Sequence, residues 1–177
     1  MKLLPLSQGQ FAQVDDEDYE RCMQYKWSAY KNKKRKDGSW YAARNISSSE
    51  TGTGKRGHQF LHRFIMNETD HDVFIDHRDH NGLSNQKYNL RKCNKNENIR
   101  HQRARTGGTS ELKNVTFHKQ RQKWVVVVCV DGDNRHRGIF PKDQEELAGE
   151  CADFWCAYHH KEFAVFNFPN RILKMFL

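Results

Sequence analysis

The run from Ile75 to Asn98 constrains this chain more than any other stretch. A short apolar segment, Val73–Ile75, ends at the pair Asp76–His77. The turn pair Asn81–Gly82 follows, then a second short segment, Tyr88–Arg91, and a polar run, Cys93–Arg103, free of Gly and Pro. This order predicts strand, loop, strand, helix. Each part carries a side chain that can titrate or bind a metal: Asp76 and His77 on the first strand, Asn89 on the second, Asn98 on the helix.

These residue types suit phosphodiester hydrolysis. The reaction needs a deprotonated water, relief of the charge growing on phosphorus, and help for the leaving oxygen. An imidazole, with an ordinary pKa of about 6.5, serves as a base near neutral pH, so His77 is the candidate base. Asp76 offers a hard carboxylate oxygen and Asn98 an amide oxygen. Mg²⁺ (or Mn²⁺) commonly takes one or two such protein oxygens and fills its shell with water and substrate phosphate. Asn89 is suited to orienting the loop or the His77 ring through hydrogen bonds. Each residue also has an ordinary structural reading, since Asp–His pairs, Asn-rich loops and Asn in helices are common.

The charge points the same way. The 177-residue chain has a formal charge of +8, which favours a polyanionic partner. Residues 1–105 hold 20 Lys/Arg against 13 Asp/Glu, and residues 106–177 hold 10 against 9. With 36% hydrophobic residues, any core must be small, and 11 Phe, 6 Tyr and 4 Trp supply much of it. The five cysteines, Cys22, Cys93, Cys129, Cys151 and Cys156, form no CxxC pair, so neither a zinc ribbon nor a disulfide framework is expected. The apolar run at the N-terminus is too short for a signal peptide, and no window approaches a membrane span. The expectation is a cytoplasmic protein that is not secreted.

Along the chain, Phe11–Val14 predicts a strand and Asp16–Gln24 a helix with an acidic first turn. Trp27–Lys31 and Trp40–Asn45 predict a hairpin whose tip carries Lys33, Lys34, Arg35 and Lys36. That tip is either a solvated loop or a phosphate-contacting finger. Residues 47–57 read as loop. His58–Met66 places Phe60, Leu61, Phe64 and Ile65 at helical spacing, with His62 a structural histidine among them. Gly107–Gly108 marks a linker at 106–110. Beyond it, Leu112–His118, Trp124–Val130 and Arg135–Phe140 predict three short antiparallel strands, and Gln144–Lys161 an amphipathic helix. Residues 170–177 form a tail.

Two resemblances follow from these residues. Asp76–His77, the loop with Asn81 and Asn85, Asn89–Leu90–Arg91 and Glu97–Asn98 with His101 resemble the HNH endonuclease motif, closest to phage homing endonucleases ending in Asn. Leu61–Met66 resembles the segment that precedes it, and the likeness is specific over residues 58–103. It implies an α+β chain whose nuclease domain, within residues 1–105, has the ββα-metal (His-Me finger) fold with one catalytic divalent cation and no structural zinc. His77 is then the general base, Asn89 the orienting residue, and Asp76 with Asn98 the metal ligands; His101 is the alternative third ligand. Residues 111–169 resemble the APETALA/ERF-type DNA-binding domain, a three-stranded antiparallel sheet backed by one helix that lays its sheet in the major groove. With Trp124, Val126 and Val128 facing the helix, the opposite face gets Val125, Val127 and Cys129, which cannot hydrogen-bond base edges.

The resemblances imply a metal-dependent DNA endonuclease that nicks one strand as a monomer, or breaks both as a homodimer, in the cytoplasm of a phage's host. Duplex DNA is the partner. Its expected contacts are the hairpin-tip cations, Arg63, Arg78 and Arg91 around the motif, and Thr116, His118, Arg121, Lys123, Arg135 and Arg137 in the C-terminal unit. The alternatives are a non-catalytic DNA-binding protein, a degradative nuclease of low specificity, and a protein-docking role for Val125, Val127 and Cys129.

Overall fold

The computed structural model of the chain describes residues 1–31, 39–51, 55–104 and 107–175. It is a mixed α+β structure of small antiparallel sheets in two compact units, Met1–Asn94 and Lys95–Leu177. Among the described residues no helix is long and apolar enough to cross a membrane.

In the first unit, β1 (Lys2–Pro5) pairs antiparallel with β2 (Phe11–Val14) and brings Leu4 beside Ala12. The acidic cluster then starts α1 (Asp16–Met23), as the helix dipole favours. β3 (Ser28–Lys31) and β4 (Trp40–Ile46) form the expected hairpin; its tip lies outside the described residues. A one-turn helix, α2 (Ser48–Thr51), occupies the segment read as loop. The segment expected to be one helix, 58–66, is divided: β5 (Gly57–Phe60) adds a third strand to β4, and only α3 (Leu61–Ile65) is helical. The spacing of Phe60, Leu61, Phe64 and Ile65 satisfies a helix, but the backbone of the first residues is taken by the sheet. β6 (Phe74–His77) and β7 (Leu90–Cys93) close the unit as a two-stranded ribbon.

Leu4, Val14, Cys22, Trp27, Leu61, Ile65 and Leu90 form its core. Trp27 donates its Nε1–H to Cys22 O at 2.8 Å, which satisfies the one polar atom it buries. Arg21 ties α1 to α3, donating to Ile65 O at 2.8 Å and to Asp18 Oδ1 at 2.9 Å.

The second unit starts with α4 (Lys95–Arg100), ahead of the Gly-rich segment where the sequence suggests a break. Divided here, the two units carry 16 Lys/Arg against 12 Asp/Glu and 14 against 10, so the second is as basic as the first. β8 (Val115–His118), β9 (Lys123–Val130) and β10 (Asp133–Pro141) form an antiparallel sheet with β9 in the middle. α5 (Glu145–His160) packs on one face, and α6 (Pro169–Met175) ends the described chain.

Alternation along β9 decides which face is covered. Trp124, Val126, Val128 and Val130 are buried against Ala148, Ala152 and Cys156 of α5, as the pattern predicts. Each large apolar side chain so buried contributes about 1.5–3 kcal/mol. Val125, Val127 and Cys129 lie on the other face, half-buried. Asp153 of α5, 1% exposed, accepts hydrogen bonds from Asn167 N, Asn167 Nδ2 and Phe168 N at 2.8–3.0 Å, and so pins the segment after the helix.

Candidate active site around His77

β6 and β7 pair with Asp76 opposite Arg91 and His77 opposite Leu90. The loop between them, residues 78–89, is closed by its own asparagines. Asn89 sits at the neck, 3% exposed. Its Nδ2 donates to Ser84 O at 2.8 Å and to Asp79 Oδ1 at 3.0 Å, and its Oδ1 accepts from Asp79 N at 3.1 Å. The backbone adds Arg78 N to Asn89 O at 2.9 Å. At the tip, Asn81 Oδ1 accepts from Leu83 N at 3.1 Å, an Asx turn. Gly82 is required for space: a Cβ there would lie 2.4 Å from Trp40 O and 2.6 Å from the Tyr41 ring.

The loop is also docked from outside. Gln13 of β2 donates its N–H to Leu83 O and accepts from Asn85 N, both at 2.8 Å. Lys87 N donates to Asp15 Oδ2 at 2.8 Å, and Lys87 Nζ pairs with Glu17 at 2.5 Å. The acidic start of α1 therefore serves the loop as well as the helix.

His77 is buried. Its Nε2 lies 3.3 Å from Asn85 Oδ1, while Asn85 Nδ2 donates to Gly82 O at 3.3 Å. That second bond fixes which way the amide faces. An amide oxygen only accepts, so Nε2 carries the proton and Nδ1 is left with the lone pair. Aromatic rings fix the imidazole further: Tyr41 at 6.0 Å and His62 at 5.2 Å between centroids, the latter edge-on, with His62 stacked on Phe60. Burial pushes the His77 pKa below its ordinary value, against the opposing pull of the Asn85 bond and of Asp79 and Asp76. At pH 7 the ring is neutral. Burial, helped by His77 and Arg63, takes His62 down to about 3. Its Nδ1 is enclosed with no hydrogen-bond partner among the described residues.

Asp76 and Arg91 form a buried ion pair, with Arg91 Nε and Nη2 each 2.8 Å from Asp76 Oδ2. Arg91, expected at the DNA, is 7% exposed, with its guanidinium against the carboxylate across the ribbon. Arg63 is engaged too, donating to Val73 O at 2.8 Å and Asp70 O at 2.6 Å, so it braces the turn before β6. Arg78 is exposed at the start of the loop. Lys33, Lys34, Arg35 and Lys36 lie outside the described residues.

Asn98 and His101 belong to the second unit, on α4 and just after it. Asn98 is half-buried and His101 is buried, its N–H bonded to Glu97 O at 3.0 Å. The carbonyl end of this short helix is capped by Lys113 Nζ, which donates to Arg100 O and Gln102 O. Burial lowers the Lys113 pKa to about 8. Among the described residues, no three His, Cys, Asp or Glu side chains gather at one point. In kind, Asp76 of the first unit still offers a hard divalent cation a carboxylate, with Arg91 Nε and Nη2 against its Oδ2.

In the second unit, Thr116 and His118 pair with Val125 and Lys123, which sets all of them on the face away from α5. Arg121 is exposed in the turn between β8 and β9. Arg135 lies opposite Val128 and so turns towards α5. Arg137, in the bulge of β10, stacks 4.2 Å over the Trp155 ring of α5.

Two parts of the site carry no role in the sequence reading: Asn85 as the partner of the His77 ring, and the Tyr41–His62 packing against it. Asn85 stands in the Asn-rich loop, but no spacing rule distinguishes it from Asn81. Comparison with protein-family models, with curated proteins and with solved structures gives no match.

Proposed function

We propose that this chain is a divalent-metal-dependent DNA endonuclease of the HNH type, hydrolysing phosphodiester bonds with His77 as the base. The observation that carries the reading is the state of that ring. Burial favours its neutral form, Asn85 Oδ1 stands 3.3 Å from Nε2, and the Tyr41 and His62 rings enclose it. A histidine so prepared is costly to build and suits proton abstraction from a water.

The steps assigned to the chain are few. His77 Nδ1 takes the proton of the attacking water, and the Nε2–H bond to Asn85 steadies the imidazolium that results. Asn89 keeps the loop closed, so the ring's partner stays in place. Arg91 orients Asp76, the residue that would hold Mg²⁺ or Mn²⁺; the bound ion would relieve charge on the phosphate and on the leaving oxygen. The resemblance of the motif, with neither unit's geometry added, assigns Asn98 or His101 as the further ligand.

The test is nicking of supercoiled plasmid in Mg²⁺, with an EDTA control. His77→Ala should lower the rate by about 10²–10⁴-fold, the usual worth of a general base, and leave DNA affinity within about twofold. A mutant that nicks as fast as the wild type ends the assignment. One observation favours a non-catalytic DNA-binding protein instead: Asp76 already spends Oδ2 on Arg91. Wild-type protein that binds DNA and never nicks it would make that the better reading.

A further inference from the structure

We propose that the second unit holds the phosphate backbone of duplex DNA on the edge formed by β10 and the last turns of α5, and not on the open face of its sheet. The proposal rests on the DNA reading above and adds which surface does the binding.

Arg135 pairs with Val128, a core residue, so its side chain leaves the sheet on the helix side. The bulge between His136 and Gly138 gives Arg137 no partner in the register and lets it reach the helix as well. There its guanidinium lies 4.2 Å over the Trp155 ring, and Nη2 is 3.0 Å from His159 Nε2. His159 is itself stacked on Trp155, at 5.7 Å and 12°. Burial, then Arg137 and Arg135, lower the His159 pKa, so the ring is neutral and Nε2 accepts from the guanidinium. Arg137 is thus a fixed fork, with its Nε enclosed and unpartnered among the described residues.

Arg135, beside it, is exposed. Tyr158, 68% exposed and edge-on to His159 at 4.8 Å, borders the cluster with a hydroxyl and an aromatic face. An exposed arginine beside a held one, next to an exposed tyrosine, supplies the kind of contacts that position a phosphate backbone. The acids of α5 lie away from this cluster: Glu145 accepts from Ser110 and Glu146 and Glu150 pair with Arg171, all in the first turns of the helix, and Asp153 is buried on Asn167 and Phe168. Asp131 is paired with Arg100 at 3.3 Å, and Asp133 stands at the start of β10.

The open face is different in kind. Val125, Val127 and Cys129 run down its centre, and Ile139, opposite Val125, is 54% exposed. Lys123 is its one permanently charged cation on β9, with Thr116 and His118 on β8 beside it. Apolar side chains can meet thymine methyls, but they anchor no phosphate.

The test uses the full chain in EDTA with a fluorescein-labelled duplex of mixed sequence, and reads affinity against salt. Each phosphate contact contributes about 0.9 to the slope of log K on log salt. Arg135→Gln, an exposed change that spares the Trp155 stack, should lower the slope by about that amount. Between 50 and 200 mM salt, the loss of affinity should then be about 3.5-fold smaller than for the wild type. Lys123→Gln should change neither slope nor affinity. The proposal falls if Lys123→Gln lowers the slope and Arg135→Gln does not, or if neither moves it. If the wild type nicks plasmid while Arg135→Gln binds as it does, the nuclease reading stands and this surface is wrong. If the wild type neither binds nor nicks, both fall.

Discussion

Asn89→Ala tests whether the candidate site depends on the closed loop. The side chain makes three hydrogen bonds from a buried position: one to Ser84 O, one to the Asp79 carboxylate and one from Asp79 N. Neutral hydrogen bonds contribute about 1 kcal/mol each, and one to a charged group about 1.5–3 kcal/mol. Losing all three should cost the closed loop about 3.5–5 kcal/mol. At 1.4 kcal/mol per decade, amide exchange at Arg78 and Ser84 should accelerate by about 2.5–3.5 decades. Both amides keep their own acceptors, Asn89 O and Asn81 O, so they report opening of the loop and not loss of a partner. Exchange along β9, in the other unit, serves as the control. Asn89→Asp sharpens the test. It replaces the donor Nδ2 with an oxygen facing Ser84 O and the Asp79 carboxylate, so it should open the loop further than alanine does at pH 7. Slower exchange in Asn89→Asp than in Asn89→Ala would refute the donor role.

Two other perturbations follow from the same geometry. Asn85→Ala removes both the bond that selects the His77 tautomer and an interaction that raises its pKa. Nicking should drop about 10–100-fold, as for the loss of an orienting partner, and the acid limb of the kcat profile should move to lower pH; a limb that moves up or stays put refutes the assignment. His62 is held at about 3 when folded, against 6.5 as its ordinary value. Between these pH values the unfolded chain binds the extra proton, so stability is present above 6.5 and is lost as pH falls towards 3. His62→Phe, which also removes the enclosed Nδ1, should raise the urea midpoint more at pH 5 than at pH 7; equal shifts at both would show that His62 does not carry the effect.

What was legible in the sequence depended on how local the cause was. The alternation of Trp124, Val126 and Val128 identified the covered face of β9, because one sheet face packs on one helix. The Asp76–His77 strand end and the closing role of Asn89 also came through, since turn chemistry acts within a few residues. Partner-dependent features did not. The strand β5 was hidden inside a good helical pattern, because only pairing with β4 decides the backbone of Gly57–Phe60. The pairing of Arg91 with Asp76 comes from the ribbon register, which no local pattern shows. The side of the sheet that Arg137 takes depends on a bulge in β10, which leaves no mark in composition. The β1 strand, with Pro5 at its end, was missed for want of an alternating pattern.

The tether between Gln13 and the loop ends at Leu83 and Asn85 has a bearing on evolution and on engineering. The residues that look like a portable nuclease cassette start near position 58, yet the histidine's loop takes part of its shape from a strand laid down more than forty positions earlier. A graft of the later segment into another scaffold would leave those two backbone groups to solvent and the imidazole without a steady neighbour. Insertions near Gln13 would disturb the same geometry from a distance. The unit that shapes the histidine's loop is therefore the whole first half of the chain, its opening hairpin included.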